Sequence, residues 1–162
     1  DYIESAVKTA QEKLRKYNFD YEILIFNDAS TDNTGAIADW LAREDSKVKV
    51  FHNARNMNLG YNFARGIRIA SKAYCGSMPA HGLIASESYD SILPPLVKHQ
   101  TDVLIAYIAN TSVRPLYRRF VSWFNTALLN MIFGFGLRYY HLNFFRTELL
   151  KKLPNTWSSF IL

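Results

Sequence analysis

A single cysteine, Cys75, among 162 residues leaves no partner for an internal disulfide. Without a second thiol or clustered histidines there is no zinc framework either, so a stapled secreted scaffold is excluded and a reducing compartment is expected. Gly 7 and Pro 5 are too few for collagen-like or linker sequence. Long apolar runs are also lacking. The longest uncharged stretch, Phe120 to Leu137, contains Ser122, Asn125, Thr126 and Asn130 and barely reaches bilayer length, so it is not read as transmembrane. Asp1-Tyr2-Ile3-Glu4 lacks the basic start and apolar run of a secretion signal, and none is expected. Acidic residues are scarce in the last third: from Asp102 onward only Asp102 and Glu148 oppose Arg114, Arg118, Arg119, Arg138, Arg146, Lys151 and Lys152.

What is present is a foldable chain, 49% hydrophobic and 20% charged, of a length suited to one domain. Its net charge of +5 points to an anionic partner: nucleic acid, a phosphorylated metabolite or an acidic membrane surface. No recognised nucleic-acid module accompanies the basic residues, so nucleic acid is not expected as a partner.

Periodicity predicts helices over residues 2–17, 35–43, 58–73, 86–99 and 114–134, with a short one at 147–152. Pro94-Pro95 is expected to break or restart the fourth. Short β-prone runs fall at 21–26, 48–51, 74–78 and 102–107, with an aromatic-rich segment at 139–146. This alternation predicts an α/β fold with a mainly parallel sheet flanked by helices. The segment from Arg114 to Gly134 departs from the pattern, joining a basic start to a wide apolar face.

Ligands of such sheets sit beyond the carboxyl ends of the strands. The strand ending at Phe26 delivers Asn27, Asp28, Ser30 and Asp32, whose oxygens suit a base imide or a ribose hydroxyl. The same residues equally suit Asx turns and a helix cap. Asn58 and Gly60 open the next helix, where free amides favour phosphate, although Asn and Gly begin many helices. His81 follows a strand end, and it also fits an ordinary loop histidine. Glu87 and Asp90 read as solvated first-turn acids.

The stretch Tyr21 to Thr34, YEILIFNDASTDNT, resembles the strand-and-loop signature D-D-x-S-x-D-x-T of family-2 glycosyltransferases, with Asn27 in place of the first Asp and Asp28 on the second. Asn58-Leu59-Gly60-Tyr61-Asn62-Phe63-Ala64-Arg65-Gly66-Ile67 is similar to the family's N-x-G-x-x-x-A-x-x-x-G/I helix start. Pro79-Ala80-His81-Gly82-Leu83 stands where D-x-D or P-G-D-N-E is usual, with His81 at an Asp position. Arg114-Pro115-Leu116-Tyr117-Arg118-Arg119-Phe120-Val121-Ser122, then Asn125, resembles the R-P-x-x-R-R-x-x-S-x-x-F-N region of polyprenyl-phosphate sugar transferases. Tyr139 to Arg146 resembles the family's next strand and its closing arginine.

The resemblance implies a Rossmann-like GT-A sandwich that binds a nucleotide-sugar. One domain would span 1–162, with residues 1–110 holding the donor and 111–153 facing acceptor and membrane. Asn27, Asp28, Ser30, Asp32, Asn58 and Gly60 would hold a UDP- or GDP-linked sugar. Arg114, Arg118 and Arg146 would meet the phosphate of a polyprenyl or dolichyl acceptor, with His81, Arg118 and Arg119 in catalytic positions. A divalent cation, Mg2+ or Mn2+, is expected from the family. His81 is its weak donor here, since imidazole suits manganese better than magnesium. The implied location is the cytoplasmic face of a membrane. The family's first strand, V-V-I-P-x-Y-N-E-like, has no counterpart before Asp1, so an N-terminally incomplete sheet is expected, with exposed strand edges beside the gap. A relative that keeps nucleotide or membrane binding without turnover is the alternative.

Overall fold

A computed structural model describes residues 2–78, 85–98, 101–107, 115–134, 136 and 140–153. The chain runs α1 (Tyr2–Lys16), β1 (Ile23–Asn27), α2 (Thr34–Glu44), β2 (Val48–His52), α3 (Asn58–Ile69), β3 (Tyr74–Gly76), α4 (Ser86–Val97), β4 (Val103–Tyr107), α5 (Leu116–Phe133), β5 (Tyr140–Arg146) and α6 (Thr147–Lys151). The fold is α/β, as the alternation predicts.

β1 and β2 pair in parallel, Ile23 against Val48 through Asn27 against His52. β5 lies antiparallel between β3 and β4. The expected parallel arrangement thus holds for β1 with β2, and β3 and β4 share one direction. The correction is β5, which returns between them and makes both contacts of the second sheet antiparallel. Among the described residues β1 and β3 do not pair with each other. They are joined instead through side chains: Ile23 and Met78 pack on the same buried group of Ala10, Tyr89 and Leu93.

Among the described residues three apolar clusters form the core. Ile3 and Val7 of α1 meet Ile25, Ala38, Leu41 and Val48. Ala10 meets α4 at Tyr89 and Leu93, and Ile92 and Leu96 cover Leu142 of β5. Asp90 departs from the solvated reading. It accepts from Lys13 Nζ at 2.8 Å, Lys16 Nζ at 2.9 Å and Tyr17 Oη at 2.9 Å, and so clamps α4 to α1. Hydrogen bonds from Lys13, Lys16 and Tyr17 hold its carboxyl far below the usual carboxylate range.

Pro94 and Pro95 do not break α4, which continues to Val97. They stand in its last turn, so only the Asp90 and Ser91 carbonyls lose the helical N–H donors that proline cannot supply. α3 stops at Ile69, short of the expected Ala73, because Ala70 turns extended at ψ 133.

Helix α5 differs from the others: none of its residues is buried. At helical spacing Leu116, Tyr117, Phe120, Trp123, Phe124 and Met131 share one half of its circumference, while Arg118, Ser122, Asn125 and Asn130 lie on the other. Phe120 and Trp123 are each 64% exposed and Met131 77%. No helix among the described residues is long and apolar enough to cross a membrane.

Candidate active site

Parallel pairing brings the carboxyl ends of β1 and β2 side by side. The register sets Asn27 opposite His52, and Asn53 N donates to Asn27 O at 2.9 Å, so Asp28 and Asn53 leave the sheet as neighbours. Asn53 Nδ2 donates to Asp28 Oδ1 at 2.8 Å and to Asn62 Oδ1 at 2.7 Å. The start of α3 closes on the same carboxylate. Met57 N donates to Asp28 Oδ1 at 2.8 Å, and Asn58 N to Asp28 Oδ2 at 3.0 Å. Burial pushes the Asp28 carboxyl up, but the Met57 and Asn58 amides and the Asn53 and Asn62 side chains outweigh it and hold it below the ordinary carboxylate range. Asp28 is therefore an anion at neutral pH, and it anchors the amino terminus of α3.

Two further groups tighten the cluster. Arg65 Nη1 donates to Asn53 Oδ1 at 3.1 Å. Its guanidinium lies 5.0 Å from the Phe51 ring centroid and 5.7 Å from that of Phe26, and those rings stack at 5.2 Å. A cation over stacked rings is kept at a fixed place, with fewer rotamers than a solvated arginine.

The other residues expected at this end separate by role. Asn27 Oδ1 accepts from Ser30 N at 3.1 Å, and Asp32 Oδ1 from Thr34 N at 3.0 Å. Those are Asx-type turns, so the turn reading of the loop holds for Asn27 and Asp32. Gly60 is buried in the first turn of α3. Asp28 and Asn58 thus meet where β1 ends and α3 begins, with Gly60 in the turn that follows, while Asn27, Ser30 and Asp32 shape the loop from β1 into α2.

The basic residues lie elsewhere, on separate elements. Arg118 lies on α5 and donates Nε to Tyr117 Oη at 3.1 Å. Arg119 is exposed on the same helix. Arg146 donates Nε to Asp102 Oδ1 at 2.7 Å and sits 5.7 Å from the Tyr74 ring centroid, a contact that ties β5 to the start of β4. His81 and Arg114 lie outside the described residues. Among the described residues no three His, Cys, Asp or Glu side chains converge on a cation site.

His52, Asn53, Asn62 and Arg65 enter this site without having been singled out from sequence. The signals were present. The end of β2 adjoins the end of β1 in any parallel pair, which marks His52 and Asn53. Asn58, Asn62 and Arg65 recur at helical spacing along one face of α3.

The family model described as Glycosyl transferase family 2 matches residues 1–157. The chain belongs to that family. Among its relatives, the Bacillus subtilis (strain 168) protein named uncharacterized glycosyltransferase EpsJ is 30% identical over 93 residues, 56% of this chain and 26% of that protein. The abequosyltransferase RfbV of Salmonella typhimurium is 28% identical over 108 residues, 65% of this chain and 31% of that protein. The uncharacterized glycosyltransferase YibD of Escherichia coli (strain K12) is 32% identical over 84 residues, 51% of this chain and 24% of that protein. The chain thus spans about a third or less of the length of these relatives. In family-2 terms, the acidic loop and the N-x-G helix start are the segments that meet around Asp28.

Proposed function

We propose that this domain takes part in transferring a sugar from a UDP- or GDP-linked donor to the phosphate of a polyprenyl or dolichyl lipid at the cytoplasmic face of a membrane. The observation that carries the reading is the convergence of an ionised Asp28, the start of α3 and a fixed Arg65 at the carboxyl ends of two parallel strands. Such a place suits a nucleotide: the Asp28 carboxylate, ordered by the Met57 and Asn58 amides, keeps lone pairs for a base imide or a ribose hydroxyl. Support for the acceptor half comes from α5, whose apolar half-circumference fits the acyl boundary while Arg118 and Arg119 offer planar forks to a lipid phosphate.

An acceptor phosphate is already anionic, so the transfer needs no strong general base, and stabilising the departing diphosphate is the larger electrostatic task. Arg118 and Arg119 would hold the acceptor oxygen, and Arg65 keeps the loop ordered against the donor. The expected divalent cation belongs to this proposal through His81 and its neighbours. The described residues form no such site.

Titrating the chain with UDP and GDP, with and without manganese, tests the donor half. One nucleotide should bind in preference, and Asp28→Ala should weaken it by about a hundredfold, since two or three charge-assisted hydrogen bonds vanish and α3 loses its anchor. Turnover with polyprenyl phosphate in vesicles tests the rest. Nucleotide binding without turnover would favour the binding-only relative, and no binding by a folded chain would reject the donor site.

A further inference from the structure

The carboxamide of Asn27 is held at both ends. Oδ1 accepts from Ser30 N at 3.1 Å, and Nδ2 meets His52 Nδ1 at 3.0 Å. A ring nitrogen that accepts must be bare, which puts the imidazole proton on Nε2. Nε2 lies 2.9 Å from Asp39 Oδ1, an acceptor that suits that tautomer. The three side chains come from β1, β2 and α2, and the parallel register itself sets Asn27 against His52. Gly35 completes the arrangement. A Cβ there would stand 2.8 Å from Asn27 Nδ2, so the first turn of α2 is bare where the amide lies.

Asn27 is only 9% exposed and the surface residue His52 lies against it at 3.0 Å, so an apolar side chain in that place would also keep water from the amide. Without His52 its NH2 group loses its acceptor. The amide can then turn over and present NH2 to the Ser30 N–H, donor against donor, which opens the turn that follows.

From this geometry we infer that His52 is a positioning residue for the donor loop. Its imidazole, oriented by Asp39, locks the Asn27 carboxamide in one sense, and so keeps the Asn27–Asp32 turn closed beside Asp28. His52 acts through Asn27 and contacts no reacting atom. The inference rests on the donor site proposed above, and its test separates the two.

Uniformly 15N-labelled wild type, His52→Leu and His52→Asn are compared by NMR and by titration with UDP and GDP. In wild type at neutral pH the His52 ring nitrogens should show the Nε2–H tautomer. In His52→Leu the Asn27 side-chain amide and the Ser30 backbone amide should shift and lose exchange protection, and affinity for the preferred nucleotide should fall about five- to tenfold. His52→Asn places a carbonyl oxygen near the position of Nδ1 and should restore both readouts, which a purely space-filling role would not predict. Unchanged Asn27 and Ser30 signals in His52→Leu would overturn the inference, as would shifted signals with unchanged affinity. If wild type binds neither nucleotide, the donor-site reading falls, and so does the assignment of His52 to a donor loop, even where the NMR shows the amide lock itself.

Discussion

The α1–β1–α2–β2 region and helix α5 are built on opposite plans. In the first, Ala38, Leu41 and Val48 are at most 3% exposed, and polar side chains at the strand ends find partners within the protein. In the second, a helix with a comparable supply of apolar side chains buries none of them. Equal hydrophobicity is therefore deployed in two ways: one apolar set packs beneath the β1–α2 loop, and the other stays exposed among the described residues. The difference makes stability and surface binding separable by mutation.

The sharpest break of this comparison is a pair of truncations. Leu41→Ala should lower unfolding free energy by about 2–4 kcal/mol, the usual cost of emptying a core site. Trp123→Ala removes a larger side chain, yet should change stability by no more than about 0.5 kcal/mol, because its surface is already in solvent. Chemical denaturation of both variants measures this directly. A large loss from Trp123→Ala would mean that α5 packs on the domain after all.

The second test reads α5 for what it does bind. Phe120→Glu combined with Trp123→Glu places charges in the middle of the apolar half, and binding to anionic lipid vesicles should fall at least about tenfold. Nucleotide affinity and melting temperature should stay put. If vesicle binding is unaffected, the exposed face serves another partner.

Most of this division could be anticipated from residue order. The spacing of Ile3, Val7 and Ala10 marks the buried face of α1, and the basic, wide-faced segment after Arg114 stands out as unlike the other helices. NDASTD and N-x-G marked two segments that the structure brings together at Asp28. What spacing could not supply was pairing in space. Asp90 read as a solvated acid because its partners Lys13, Lys16 and Tyr17 lie more than seventy residues earlier in the chain. His52, Asn53 and Arg65 carry no local motif, since each is recruited by strand register or helix phase. β5 pairs antiparallel between β3 and β4, a choice made by tertiary packing of Leu142 and Phe144 on α4 rather than by local propensity.

The Asp90 clamp supplies a test by pH. Its folded carboxyl titrates below the unfolded value, so its contribution is fully present above the unfolded pKa of about 3.9 and is lost as pH falls through the lower folded value. Asp90→Asn should melt at lower temperature than wild type by a constant margin from about pH 5 to 8, and that margin should shrink below about pH 4. A margin that grows in acid would show that Asp90 does not carry the link between α1 and α4.

The smallest effects compare the same backbone geometry in the two regions. Ala29, next to Asp28, has φ 60, and Gly134, which closes α5, has φ 69. An L-residue pays roughly 1–2 kcal/mol at such an angle, and glycine gives back about 0.4–1 kcal/mol through its freer unfolded chain. Ala29→Gly should therefore raise global stability by about 0.5 kcal/mol, because the loop is welded to Asn27, Asp28 and α3. Gly134→Ala carries the opposite strain, with open space around the new methyl group and the Gly134 N to Asn130 O bond of 2.8 Å at risk. Its cost should appear only as fraying of the last turn of α5, read by hydrogen exchange at Gly134 and its neighbours, with the global melting temperature unchanged. Were Gly134→Ala to lower the melting temperature as Ala29→Gly raises it, α5 would be folding as one unit with the α1–β1–α2–β2 core, and the separation of the two regions would fail.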